Sequence, residues 1–418
     1  MSLALALYRA ATGLAEPFAP LILGDRVKRG KEDPARLGER LGRPARPRPE
    51  GPLAWFHGAS VGESLSLLPV IERLRRERPD VAVLATAGTT TAAELLGRRL
   101  PEAAFHQYVP LDAPGAARRF LDHWRPDLVV FAESDLWPNL LLGAKQRGAK
   151  LALVSARVGE DSAGGWAKAP GAAREVFGAF DLILPQDEAT AARLAGLGAR
   201  DDGRLNLKYA GDPLPADPAA VAAAEAALGG RPLLLAASTH GGEDEIMLDG
   251  FRRVAGADEQ PVLVIVPRHP KRGPDIVALA EARGLGAGLR SAGARLGEHA
   301  VHVADTLGEL GLWFRLARVA LMGGSFVPDI GGHNPLEPAR LGCPVVTGPH
   351  VENWQGVFDE MAAAGLVQVL QPPFAIDYVM SRAVNARDDT RAEAARAFAD
   401  SRADEIDAGF QRIVALLP

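Results

Sequence analysis

Two stretches of this chain put acids where a strand should end. His57-Gly58-Ala59-Ser60-Val61-Gly62-Glu63-Ser64 follows an apolar run and leads into a helical pattern. Gly58, Ala59, Ser60 and Gly62 lack bulk, so a ligand can approach the backbone closely. Glu63 falls at a strand's carboxyl end, where open α/β sheets place their ligands, and a carboxylate there can take a proton from a hydroxyl. An ordinary Glu pKa of about 4.3 makes a weak base. Exclusion of water raises it, whereas a helix dipole holds it ionised. The plainer alternative is a first-turn glutamate in a tight turn, the favourable helix end for an acid. Phe131-Ala132-Glu133-Ser134-Asp135-Leu136-Trp137-Pro138-Asn139 repeats the pattern, with Glu133 and Asp135 just past a strand. Either acid could instead cap the next helix.

The later stretches suit an anion. Ser238-Thr239-His240 and Pro267-Arg268-His269-Pro270 each follow an apolar run. Hydroxyls and an Arg at strand ends are groups a phosphate needs. Met322-Gly323-Gly324-Ser325-Phe326 precedes Gly331-Gly332-His333-Asn334-Pro335-Leu336-Glu337-Pro338. Asn334 reads as an N-cap, Pro335 as the first helical residue and Glu337 as N3. Capping accounts for Asn334 and Glu337 but not for the clustered glycines. A helix start behind a glycine-rich loop is an anion site by geometry, and phosphate binding is expected here.

These residues need a scaffold of parallel strands. Short apolar runs are expected as strands at 53–57, 81–86, 105–109, 128–132, 151–155 and 182–185, then at 233–238, 262–267, 301–304, 319–322, 345–348 and 367–370. The runs are continuous rather than alternating, as in strands buried on both faces, and helical stretches separate them. The expected class is α/β. Pro213, Pro215 and Pro218 mark a boundary between two Rossmann-like domains, 31–210 and 211–418, with a last helix at 390–417 packing back. Residues 43–52 read as a loop.

Composition removes several functions. The 418 residues carry a net charge of −5, so no global field draws the chain to nucleic acid. Cys343 is the single cysteine, which excludes an intrachain disulfide and any multi-thiolate metal site. Gly24 to Gly30-Lys31 has the wrong spacing for a phosphate loop. Gly284-Leu285-Gly286-Ala287-Gly288 lacks the dinucleotide spacing and precedes an expected strand. The nine histidines are scattered, and neither a zinc-type His pair nor an Asp-x-Asp occurs, so no protein-held metal is expected.

Residues 1–30 form an amphipathic segment. Leu3, Leu7, Ala11 and Leu14 recur at helical spacing, Pro17 should end that helix, and Arg26, Lys28, Arg29 and Lys31 follow. Such a segment can lie on an anionic bilayer or pack on the protein. No apolar run reaches the ~20 residues of a membrane-spanning helix.

In order, these blocks resemble the 3-deoxy-D-manno-octulosonic acid (Kdo) transferases, which add Kdo to lipid A precursors. The resemblance also takes in Ser155-Ala156-Arg157, Gln186-Asp187-Glu188, Asn206-Leu207-Lys208, Gly348-Pro349-His350 and Asn353-Trp354. It departs from the family pattern at Leu205, where glycine is usual, and at Gly241-Gly242, which separate His240 from Glu243. It implies a GT-B fold, two Rossmann-like domains facing across a cleft, and CMP-Kdo as donor to a lipid A precursor (lipid IVA). Glu63 matches the general base, and Glu133 and Lys208 match groups that stabilise the transition state. Ser238, Thr239, Arg268, His269, Gly323, Gly324, Ser325, Asn334, Pro335, Leu336 and Glu337 match the nucleotide-binding blocks. Ser60, Gly62, Asp135, Arg157 and His333 match the surroundings of the acceptor and donor sugar. It implies an inverting transfer without cofactor or metal, at the cytoplasmic face of the inner membrane. The competing readings are a sugar-nucleotide epimerase of the same fold and a non-catalytic nucleotide-sensing scaffold.

Overall fold

Continuous apolar runs form parallel strands covered on both faces. In the computed structural model, which describes residues 1–372 and 374–418, the chain divides into two compact units: 1–211 with 403–418, and 212–402. The first unit holds β1 (Leu53–His57), β2 (Ala82–Ala87), β3 (Ala104–Tyr108), β4 (Leu128–Ala132), β5 (Lys150–Ala156) and β6 (Leu182–Pro185), all parallel, in the order β3-β2-β1-β4-β5-β6. Trp55, Val129 and Phe131 pack in one core, and Ala54, Phe56 and Val130 in the core on the opposite face. That is the period-two alternation of a pleated sheet buried on both sides. Trp55 meets Phe120 edge-on at 4.8 Å, a favoured aromatic geometry.

The second unit holds β7 (Leu233–Thr239), β8 (Val262–Pro267), β9 (Ala287–Leu289), β10 (Val301–Val303), β11 (Ala317–Met322), β12 (Val345–Thr347) and β13 (Val367–Val369). Its order is β13-β12-β11-β7-β8-β10-β9, again all parallel. The order reverses beside β1 and β4 in the first sheet, and beside β7 and β11 in the second. Those reversals are the switch points outside which doubly wound sheets bind ligands.

The boundaries differ from expectation in two places. Strand β9 was not expected: the glycines of 284–288 gave it no apolar signal, and it forms at a sheet edge beside β10. Residues 403–418 belong to the first unit rather than the second, because Phe410, Ile413 and Leu417 are buried in the core that holds Leu205 and Leu207. Leu205, in the usual place of a glycine, sits against Gly409, where an added Cβ would lie 2.9 Å from the leucine side chain. Of the two placements open to residues 1–30, the structure shows packing on the first unit. Leu5 enters its core, Tyr8 donates to Asp112 at 2.9 Å, and Glu16 accepts from the Gly115 N–H at 2.8 Å. Leu3, Leu7, Leu14, Phe18, Leu21 and Ile22 remain exposed. Among the described residues, no helix is long and apolar enough to cross a membrane.

Candidate active site

Each unit gathers its chemistry at its switch point. In the first, β1 runs into the Val61–Glu77 helix with no loop to spare. A Cβ on Gly58 would lie 2.8 Å from the Ser64 nitrogen, so glycine is what lets helix and strand meet. Gly62 has only Ser60 Oγ within 4 Å and needs no such exemption. Ser60 caps the helix, its Oγ accepting from the Glu63 N–H at 3.2 Å. One Glu63 oxygen accepts from the Ala59 N–H at 2.7 Å and the other from Ser60 Oγ at 3.1 Å. The first-turn and the base readings of Glu63 therefore describe the same residue. Capping orients the carboxylate, and burial raises its pKa, with Glu133 and Asp135 adding to the rise against the two hydrogen bonds. Burial likewise raises Asp135.

Glu133 leaves β4 in the left-handed region, φ 57°. Non-glycine residues enter that region at a cost and mostly at functional or tightly held sites. Here the turn is held from both sides: the Glu133 N–H donates to Val154 O at 3.1 Å, and the Arg157 N–H donates to Glu133 O at 3.3 Å. Ser155, φ 49°, forms the bulge where β5 shifts register against β6, and its Oγ accepts from the Leu207 N–H at 3.3 Å. That contact docks the Asn206–Tyr209 turn on the sheet. Burial lowers the Lys208 pKa, while Glu133 opposes the fall and exposed Arg157 adds to it. Glu63, Glu133, Asp135, Arg157 and Lys208 thus form one electrostatic group, although they span 146 positions of sequence.

The second switch point inverts this pattern. Gly323 follows β11 directly, and a Cβ there would lie 2.6 Å from Ser238 O. Its N–H donates to Ala237 O at 2.7 Å. The expected anion cradle of the glycine loop is already filled. Glu243, with no exposed surface, accepts from the N–H groups of His240, Gly324, Ser325 and Phe326 at 2.7–3.0 Å. Ser325 is fully buried, its Oγ donating to Met322 O at 2.6 Å and accepting from the Gly348 N–H at 2.8 Å. Thr239 and Leu336 are also wholly buried. These residues support the site from beneath, and their backbone donors do not await a phosphate. The helix expected as an anion site, Leu336–Arg340, has only five residues, and its first N–H is taken by Asn334 Oδ1 at 3.0 Å. Pro335 precedes it in helical conformation, as expected of a first position.

Around this filled loop stand Arg268 and His269, both exposed, and His240, His333 and Glu337, all partly buried. His240 Nε2 lies 3.0 Å from His333 Nε2, with the rings stacked, and His269 approaches His240 edge-on at 5.9 Å. The scattered histidines therefore converge, a juxtaposition with no signal in their spacing. Burial holds His333 down to about 4 and lowers His240 as well, with Arg268 contributing to both. Burial raises Glu337 against Arg340, Asn334 and Arg268. Sequence reasoning missed Glu243 and Arg272. Arg272 donates to Thr239 O at 3.0 Å and is paired with the buried Asp244. An acid three residues past a strand-end block was the available signal for Glu243. Ser238 takes φ 58° at the β7 bulge, the counterpart of Ser155 in β5. Among the described residues, no group of three or more His, Cys, Asp or Glu is placed to hold a metal ion.

Comparison with known proteins follows the same lines. Residues 35–210 match the family described as 3-deoxy-D-manno-octulosonic-acid transferase. A 3-deoxy-D-manno-octulosonic acid transferase of Bordetella pertussis is 34% identical over 387 residues, covering 88% of this chain and 88% of its own length. The transferase of the same name from Haemophilus influenzae is 31% identical, covering 84% of each chain. Among solved structures, a glycosyltransferase from Rickettsia africae superposes with a TM-score of 0.54 at 10% identity, over 88% of this chain and 99% of its own. That likeness speaks for the fold alone, which is of the GT-B class.

Proposed function

This chain belongs to the 3-deoxy-D-manno-octulosonic acid transferase family, and on that premise we propose that it moves Kdo from CMP-Kdo to a hydroxyl of a lipid A precursor, an acylated and phosphorylated glucosamine disaccharide. The chain is a glycosyltransferase. The observation that carries it is Glu63, a capped carboxylate with a raised pKa at the β1/β4 switch point. Its elevation brings it nearer the operating pH of a general base.

In this reading the acceptor hydroxyl gives its proton to Glu63 as its oxygen bonds the anomeric carbon of Kdo. The bond from that carbon to the CMP phosphate oxygen breaks with inversion, and CMP leaves with the bonding pair. Positive charge builds on the sugar ring, and Glu133 would be the carboxylate that stabilises it. Lys208 and Arg157 balance that acid between turnovers. Arg268, with His240, His269 and His333, would take the CMP phosphate, and Ser238, Asn334 and Glu337 would meet the rest of the nucleotide. Gly323, Gly324, Ser325, Thr239, Pro335 and Leu336 act through the shape they give this surface. No metal or cofactor is assigned a role. The exposed apolar row from Leu3 to Ile22 supports peripheral attachment to an anionic membrane, the cytoplasmic face of the inner membrane.

The test is incubation of the purified protein with CMP-Kdo and a tetra-acylated lipid A precursor, followed by mass analysis. Product heavier by one or more Kdo units is expected, and the mass counts the additions. Recovery of unmodified precursor alone would overturn the reading.

A further inference from the structure

Two cavities of the first unit share a wall. One, of about 260 Å³, is lined by Arg40, His57, Ala59 and Asp135. The other, of about 210 Å³, is lined by Tyr8, Thr12, Ala15 and Ile22. Leu111, Asp112 and Trp137 border both. Ala59, whose N–H holds Glu63, puts the first cavity against the candidate base.

The two chambers differ in chemistry. His57 has no exposed surface, and its Nε2 is buried without a hydrogen-bond partner, although Nδ1 lies 2.9 Å from Thr86 Oγ1. Trp137 Nε1, at the junction, is also buried and unpartnered. A buried polar atom left this way is costly, so a ligand that satisfies it is favoured over one that does not. Beyond the shared Trp137, the residues that line the second chamber include no such group. Asp112 is spent on Tyr8 Oη, the Asn139 N–H and the Leu140 N–H at 2.8–3.0 Å. Glu16 is paired with Arg119 at 2.9 Å. What remains is alkyl surface from Ala15 and Ile22, continuing to the exposed Leu14, Phe18 and Leu21.

We propose that these chambers form one groove that holds an acyl chain of the acceptor, with its polar link to the sugar at Trp137 and its tail along the amino-terminal helices. The proposal rests on the acceptor reading given above and extends it to how the lipid is gripped. An ester or amide carbonyl is the acceptor that the Trp137 N–H lacks. The sugar hydroxyl then falls on the Ala59 side, toward Glu63, and the tail runs out over Phe18 and Leu21. Asp112 ties the Leu3–Ala15 helix to the groove wall through Tyr8, so the apolar chamber is fixed relative to the polar one.

Ala15→Trp fills the second chamber and Ile22→Glu charges it. Both residues are exposed, so neither change empties the core. The full chain and both variants are assayed with CMP-Kdo on a tetra-acylated disaccharide bisphosphate and on its fully deacylated counterpart. Binding to phosphatidylglycerol/phosphatidylethanolamine vesicles is measured beside them. The ratio of kcat/KM for acylated over deacylated acceptor should fall at least tenfold in both variants, through KM. An unchanged ratio overturns the groove while leaving the transferase reading intact. Loss of vesicle binding with an unchanged ratio also overturns it, making the face a bilayer contact instead. If the unaltered protein makes no product with either acceptor, the transferase reading fails first.

Discussion

The two units use one topology to opposite ends. Each is a parallel sheet whose order reverses beside its first strand, and each places a glycine right after a strand at that point, Gly58 in one and Gly323 in the other. In the first unit the acid beside the glycine, Glu63, accepts two hydrogen bonds and has a raised pKa. In the second the acid, Glu243, is swallowed by four backbone N–H groups. Three of those donors belong to the loop that would otherwise draw in an anion. The difference shows that a glycine-rich strand end does not by itself dictate an anion cradle. What decides is whether the chain supplies its own carboxylate, which here leaves the exposed Arg268 and the imidazoles beside it as the candidates for meeting an anion.

The largest effect should come from removing the reactive acid of the first unit. Glu63→Gln should lower kcat about 100- to 10,000-fold in a transfer assay. Because burial makes its ionised form costly, the same change should leave the melting temperature equal or slightly higher. A melting temperature several degrees lower would show that Glu63 is structural, like Glu243. Glu243→Leu should do the reverse, costing about 3–5 kcal/mol in denaturant unfolding by stranding four buried donors. Glu243→Gln should keep part of that stability and still raise the donor KM.

The glycines offer a finer comparison. Gly58→Ala and Gly323→Ala each drive a Cβ into backbone, at 2.8 and 2.6 Å, and should each cost ~1–3 kcal/mol by chemical denaturation. Gly62→Ala, in the open, should be neutral or mildly stabilising.

The smallest effect is one of pH, with a contribution from each unit. Burial pushes His57 and His333 down to about 4. Each binds fewer protons folded than unfolded, so stability should be full above the unfolded value of about 6.5 and decline as pH falls toward 4. The slope is at most about 1.4 kcal/mol per pH unit for each group. Unfolding titrations of His57→Gln and His333→Gln should be flatter across that window. A slope unchanged from the parent would show that these imidazoles are charged in the folded protein.

Sequence alone was strongest where local chemistry repeats in a regular pattern. Continuous runs such as Leu128–Ala132 and Val262–Pro267 announce strands buried on both faces, because only apolar side chains tolerate both cores. The blocks at Glu63, Glu133 and Gly323 were legible as strand ends for the same reason, whereas Asn206–Lys208 entered only through the family resemblance. The edge strand β9 was less legible, since it carries too little apolar pattern to register, and the helix after Asn334 was legible in its start but not in its length of five residues.

Tertiary structure decided the rest. It brought His240, His269 and His333 together, sent Glu243 into the glycine loop, and carried Phe410 and Ile413 into the core of the first unit. Local pattern reports which face of an element is apolar, but a hydrogen bond or a stacked pair depends on the path of the whole chain between its partners. Side-chain types were therefore fixed by sequence, whereas the partners, and with them the protonation states, were set by folding.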